Sequence, residues 1–138
     1  MSTDVVRTWK ALWDGDYSVA ASLIDPGIQV HASMADGSDG SEIKGVEGMV
    51  GWIGQIRGPS PDLTFEIEVG PIAQDNLIAL RWRATGTYAG GFPGANAPAG
   101  TQIDFTGIDI LRVRDGRVVE YWLNSDMQRL FRQLHVQG

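Results

Sequence analysis

From Asp62 to Leu123 the chain falls into four long apolar runs joined by turn signals, and no other stretch constrains the fold as strongly. Leu63 to Pro71 alternates, with Leu63, Phe65, Ile67 and Val69 set against Thr64, Glu66 and Glu68. A period of two is that of a half-buried strand. Asp75-Asn76 marks a turn, and Leu77 to Tyr88 follows as a long strand of branched and aromatic residues. Gly90 to Gly100 is a Gly/Pro/Ala loop that serves either as a plain connection or as a lid. Gln102 to Arg114 is another long strand. Asp115-Gly116 is a tight hairpin signal, and Arg117 to Leu123 returns as its partner.

Helical periods flank these strands. Val5, Val6, Trp9, Leu12 and Trp13 fall on one face of a helix over Asp4 to Gly15, with Ser2 or Thr3 as its cap. Ser18 to Ile24 predicts a short second helix that stops before the turn signal Asp25-Pro26-Gly27. Ile28 to Ser33 reads as a short strand, Met34 to Ser41 as an exposed loop, and Glu42 to Lys44 as a second brief strand. Val46, Met49, Val50, Ile53 and Ile56 repeat at helical spacing between Gly45 and Gly58-Pro59. Met127, Leu130, Phe131 and Leu134 predict a final helix capped by Ser125 or Asp126. Helices first and hairpin-linked strands after predict one α+β domain over residues 1–138. Its expected form is a cone: a curved, mixed or antiparallel sheet wrapped around the N-terminal helices, with an internal pocket.

Composition removes several function classes. Without a single cysteine, disulfides, thiol catalysis and thiolate metal sites are excluded. Two separated histidines without supporting ligand spacing argue against any metal site. The formal net charge is −6, with four Lys/Arg against eleven Asp/Glu in residues 1–69 and seven against six in residues 70–138. An acidic chain without a basic stripe is a poor partner for nucleic acid. No run approaches the roughly 18 apolar residues of a membrane span, and no secretory signal is legible, so a cytoplasmic location is expected.

Several segments together resemble the SnoaL-like polyketide cyclase family of the nuclear-transport-factor-2-like superfamily. Gly86-Thr87-Tyr88-Ala89-Gly90, the Gly/Pro loop and Phe105-Thr106-Gly107-Ile108-Asp109 look like its central strands. Asp115-Gly116-Arg117-Val118-Val119-Glu120-Tyr121-Trp122, then Asp126 and Gln133-Leu134, resemble its C-terminal signature. The resemblance implies the cone fold, a homodimer, and ring closure of an apolar, polyketide-like molecule in natural-product biosynthesis, without cofactor or metal. It also implies an acid/base Asp three residues before Asp126, where this chain has Leu123. A second polar position of the family, a His six residues before the Asp-Gly turn, matches Asp109. The fold hosts isomerases, dehydratases, epoxide hydrolases and non-catalytic binders as well, so it does not fix the reaction.

Asp109 is conspicuous without any family. It interrupts Gly107-Ile108-Asp109-Ile110-Leu111, and by alternation it shares a face with Phe105, Gly107 and Leu111. On a cavity wall its carboxylate would be poorly solvated and suited to general acid/base work. It is therefore read as the catalytic group, against the plainer reading of a buried Asp held by backbone donors or an arginine. Tyr121 on the partner strand, expected on one face with Val119 and Leu123, is a hydrogen-bond partner for Asp109 or for a substrate oxygen. His31 on the first strand is the third catalytic candidate, as a proton shuttle. Trp13, Tyr17, Met49, Ile53, Trp82, Tyr88, Leu123 and Asp126 are the expected ligand contacts, Asp126 also being a helix cap. Arg81, Arg83, Arg112 and Arg114 are expected on the opposite sheet face, where they pair with acidic residues or mark the dimer interface. The function these readings predict is a cofactor-independent cyclase or isomerase; the alternative is a non-catalytic small-molecule-binding or dimerisation domain.

Overall fold

The structure is a computed structural model that describes residues 2–34 and 37–136. Helix α1 spans Ser2–Trp13, followed by a 3-10 turn at Tyr17–Val19 and the short α2 at Ala20–Leu23. Strand β1 covers Ile24–Ala32 and helix α3 Gly45–Arg57. Strands β2 (Thr64–Gln74), β3 (Leu77–Thr87), β4 (Gln102–Arg114) and β5 (Arg117–Ser125) follow, and α4 (Met127–Gln133) ends the fold. The sheet order is β1-β5-β4-β3-β2. Sequential strands β2 to β5 pair antiparallel, and β1 closes the sheet by pairing parallel with β5.

The hairpin chemistry follows the sequence. Asp115 and Gly116 both take positive φ, 53° and 77°, as a two-residue type I′ connection requires. Alternation sorts the strands into two faces. Ile78, Leu80, Trp82 and Ala84 of β3 and Ile103, Phe105 and Leu111 of β4 are buried on the concave face. Helix α1 lays Val5, Val6, Trp9, Leu12 and Trp13 into that concavity, all of them buried. Burying a side chain such as Leu12, which keeps no exposed surface, contributes about 1.5–3 kcal/mol.

Three local expectations are corrected. The second helix stops before Asp25-Pro26-Gly27 as expected, at Leu23, but these residues form no turn between elements: the chain runs through them within β1, with a register shift between Ile24 and Gln29. Residues Glu42 to Lys44 form no strand, because no neighbouring strand offers them a ladder. A bulge between Arg112 and Val113 pairs Val113 with Val118 and Arg112 with Glu120. Val118, not Val119, is therefore the fully buried residue of that strand end. Asp126 caps α4 by accepting from the Arg129 amide at 3.1 Å. The cap expected at Ser2 or Thr3 lies outside the described side chains. No helix among the described residues is long and apolar enough to cross a membrane.

Candidate active site

The concave sheet face and the helices line a cavity of about 1740 Å³ that is open to solvent. Its lining includes aromatic rings from five elements: Trp9 and Trp13 from α1, Trp52 from α3, Trp82 from β3, Phe105 from β4 and Tyr121 from β5. The rings interlock edge to face. Trp9 and Tyr121 have centroids 4.7 Å apart at 76°, Trp13 and Trp52 5.3 Å at 85°, and Phe65 and Trp82 5.1 Å at 75°.

One buried carboxylate stands among these rings, whereas Glu42 and Glu47, which also line the cavity, are exposed. Asp109, 4% exposed, lies on the concave face of β4, opposite Leu80 of β3 and Leu123 of β5. Three side chains donate to it. Trp82 Nε1 reaches Oδ1 at 2.9 Å, the Tyr121 hydroxyl reaches the same oxygen at 3.0 Å, and Trp9 Nε1 reaches Oδ2 at 3.0 Å. None of these donors is charged. Oδ2 accepts only one of the three bonds, so it keeps the greater capacity to take a proton.

The electrostatics follow from this surrounding. Burial disfavours the ionised carboxyl and raises its pKa from 3.8 to about 6, against the opposing hydrogen bonds from Trp9, Trp82 and Tyr121. Burial, and then the charge and hydrogen bond of Asp109, hold the Tyr121 hydroxyl well above its ordinary value. Tyr121 thus stays a donor at neutral pH while Asp109 sits within reach of both protonation states.

Gly107 makes the Trp82 contact geometrically accessible. The two residues are paired across β3 and β4, and the six-membered ring of the indole lies against the glycine. A Cβ on Gly107 would sit 2.2 Å from Trp82 Cζ2, so any side chain there would push the ring away from Asp109.

The expected site residues divide. Asp109, Tyr121, Trp13, Trp82, Tyr88 and Leu123 all line the cavity. Tyr88 also accepts from the Phe92 amide at 3.1 Å, tying the Gly90 to Gly100 loop to the cavity rim. Five others stand elsewhere. His31 pairs in register with Trp122, stacks on it at 5.4 Å, and contacts Glu120 at 2.8 Å on the convex face. Alternation alone puts it there, because its neighbours Val30 and Ala32 take the buried positions. Tyr17 is 38% exposed on the 3-10 turn and is no part of the lining. Met49 and Ile53 are fully buried in the core, while Gly48, Gly51 and Trp52 present the face of α3 that meets the cavity. Asp126 is occupied as the α4 cap and does not line the cavity.

Sequence reasoning missed two participants. Trp9 reads as core, and only the fold shows that it crosses to a residue one hundred positions away. Gly107 reads as a strand glycine, a recognised sign of close approach by another group, but its partner is legible only from the strand register. Arg81, Arg83 and Arg112 stand on the convex face as expected, whereas the bulge after Arg112 breaks the alternation before Arg114. Arg81 bonds Glu68, Arg83 bonds Asp104, and Arg112 bonds Glu120 while lying 5.6 Å over the Trp122 ring.

Comparison with known proteins agrees with this architecture. The family model of the SnoaL-like polyketide cyclases matches residues 3–134. The chain belongs to this family. Among solved structures it is similar to IdmH, a proposed polyketide cyclase from Streptomyces antibioticus, with 29% identity, TM-score 0.81, and 97% and 98% of the two chains covered. AclR, a proposed hydroxylase from Streptomyces galilaeus, shares 26% identity at TM-score 0.80, over 99% of this chain and 82% of that one. A proposed polyketide cyclase from Acidithiobacillus ferrooxidans has the same fold at 21% identity, TM-score 0.82, over 96% and 92%. No curated protein matches. The family therefore comes with the cone fold and its pocket, whereas the cage around Asp109 is read from this chain's own residues.

Proposed function

We propose that this protein is a cofactor-independent cyclase or isomerase that folds an apolar, polyketide-like molecule in the cavity, with Asp109 as general acid and base. The observation that carries this reading is the position of Asp109: the buried carboxylate of the cavity lining, set among aromatic rings, held by three neutral donors and with a pKa of about 6. A catalytic acid/base works best when its pKa lies near the working pH. For ring closure of the aldol type, Asp109 takes a proton from a carbon beside a carbonyl. The carbon's electron pair then attacks a second carbonyl carbon of the same molecule, and the new alkoxide takes the proton back from Asp109. Atoms are conserved, so substrate and product have equal mass. Trp9, Trp82 and Tyr121 hold the carboxylate still and keep its charge tolerable between the two proton transfers. The aromatic walls preset the reactive fold of the chain, which by itself removes a large entropic barrier.

Incubation with linear, apolar polyketone chains tests the reading. The expected result is a product of unchanged mass with a new carbon–carbon bond, lost in Asp109→Asn.

A second reading rests on one residue. Leu123 stands where the resemblance implies the family's acid/base Asp, and its side chain lines the cavity. A non-catalytic binding domain accounts for that replacement. Tight binding of such chains with no product at any pH favours it over the enzyme reading.

The convex face carries the half-exposed Ile108 and Ile110 beside Trp122 and the arginine pairs. This supports a homodimer through that face, for which the mass in solution by light scattering is the check.

A further inference from the structure

Setting Trp and Tyr aside, two polar side chains are buried among the described residues: Asp109, and Ser60 at 3% exposed. Ser60 lies in the connection between α3 and β2 and lines the cavity. Its backbone is engaged on both sides. The amide donates to the Arg57 carbonyl and the carbonyl accepts from the Leu63 amide, both at 3.0 Å. The side chain is not engaged. Oγ has no hydrogen-bond partner among the described residues, yet it is not sealed as Trp13 Nε1 is, and it keeps accessible surface in the cavity lining. A buried hydroxyl without a partner is costly, and native structures keep few of them.

We propose that Ser60 Oγ is a second polar subsite of the cavity, which takes a hydroxyl group of the ligand and makes Ser60 a specificity-determining residue. The proposal rests on the cavity being the ligand site, as read above, and adds an anchor remote from Asp109. A serine hydroxyl both donates and accepts, so a ligand hydroxyl can pair with it in either sense. The charged neighbours in sequence are occupied. Arg57 donates to the carbonyls of Trp13, Leu63 and Pro61, and Asp62 Oδ1 accepts from the Thr87 amide at 2.7 Å. Neither is free to hold an ionised group at Ser60, so the partner there is neutral.

The strand register sets this subsite well apart from the carboxylate. The Ala89 amide donates to the Pro59 carbonyl at 2.7 Å, which holds Ser60 beside the far end of β3. Leu80, near the start of the same strand, stands opposite Asp109. The stretch of β3 from Leu80 to Thr87 covers about 23 Å at the usual rise of a strand, and the curvature of the sheet makes the straight distance shorter. Phe65 and Phe105, both paired with Ala84, line the cavity between the two poles. A ligand that touches both is therefore elongated, with a hydroxyl at the Ser60 end and apolar surface over the rings. Ser60 then selects which part of it lies at Asp109.

The test uses two rigid probes that differ by one hydroxyl, 2-hydroxyfluorene and fluorene. Binding of each to the wild type and to Ser60→Ala is measured by calorimetry, and the ratio of the two affinities is read, so that ring burial cancels. The wild type is expected to prefer 2-hydroxyfluorene by about fivefold, the net worth of one hydrogen bond, and Ser60→Ala to lose that preference. No preference in the wild type, or one that survives in Ser60→Ala, overturns the assignment and leaves the role of Asp109 in ring closure untouched. Without ligand, Ser60→Ala removes an oxygen that bonds no protein group, so its thermal midpoint is expected to match the wild type. A marked fall means that Oγ has a structural partner, which contradicts the proposal. Should the variant not fold, through-space contacts in the wild type decide. The ring protons flanking the probe hydroxyl are expected beside the Ser60 Cβ protons, and contacts to Trp9 or Trp82 in their place send the hydroxyl to Asp109 and overturn the subsite. If neither probe binds, the cavity is not an apolar-ligand site, and the proposal falls together with the reading beneath it.

Discussion

Asp109 stands directly opposite Leu123 in the β4–β5 ladder, and both residues line the same cavity. Residues paired in this way have Cβ atoms about 4.5–5.5 Å apart. The carboxylate expected on β5 is therefore displaced across the same rung, onto the neighbouring strand, with apolar surface left in its place. The cage of Trp9, Trp82 and Tyr121 belongs to the new position. These relationships lead to four predictions.

Removing a donor from the cage shifts the acid. The bonds from Trp9, Trp82 and Tyr121 all lower the Asp109 pKa against the larger effect of burial. Trp9→Phe, Trp82→Phe and Tyr121→Phe are each expected to raise it further above 6. Carbon-detected NMR of the Asp109 carboxyl reads the shift, and a fall in any of the three contradicts the cage.

A methyl group at position 107 should act at a distance on Asp109. Gly107→Ala places a carbon where the Trp82 ring lies, so the ring must move and its bond to Asp109 is lost. The expected cost is about 1–3 kcal/mol in chemical denaturation, as for an overpacked core. It is accompanied by a raised Asp109 pKa and altered tryptophan fluorescence. An unchanged titration would show that Trp82 has another way to reach the carboxylate.

The pH dependence of stability has a defined sign. Asp109 binds its proton more tightly folded than unfolded, since its pKa rises from 3.8 to about 6. Between about pH 4 and 6 the folded state holds more protons, so this group makes stability fall as pH rises through the window, then level off. The shift corresponds to at most about 3 kcal/mol. Asp39, Asp62, Asp104 and Glu120 have lowered pKa values, and they act in the opposite sense as pH falls below that window. In urea titrations the slope between pH 4 and 6 is expected to disappear in Asp109→Asn. Its persistence would assign the linkage to another group.

His31 should be dispensable for the cavity. It contacts Glu120 and Trp122 on the convex face, and an exposed pair of this kind contributes about 1 kcal/mol or less. His31→Ala is expected to leave ring closure and the Asp109 titration as they are. A change in either would reveal a path through the sheet that the geometry lacks.

How much of this was legible in the sequence depends on the range of the interactions. Strand alternation alone set Asp109 on a face with Phe105, Gly107 and Leu111, and the structure has it so. The helical stripe of Val5, Val6, Trp9, Leu12 and Trp13 is likewise a local pattern, and all five are buried. Three kinds of error came from longer range. His31 was legible as a strand residue but not as a convex one, since Ile28 to Ser33 taken alone does not say which face meets the sheet's concavity. Met49 and Ile53 carry the helical period, but the period does not distinguish a face turned to the core from one turned to a cavity. Tyr17 and Asp126 were expected at the ligand from resemblance, whereas local turn and cap geometry decides where they stand. The role of Trp9 was beyond reach, because it depends on a contact between the first helix and the fourth strand.

The central claim is that Asp109 is a buried acid/base in the cavity, and titration of its side-chain carboxyl by carbon-detected NMR tests it most directly. The signal is identified by its loss in Asp109→Asn and followed from pH 3 to 9, with and without a rigid apolar probe, the aromatic ketone 9-fluorenone. A midpoint near 6 that moves when the probe binds is the predicted result. A midpoint at or below 3.8, indifferent to the probe, would contradict the account: Asp109 would then be a permanently ionised structural anchor for Trp9, Trp82 and Tyr121.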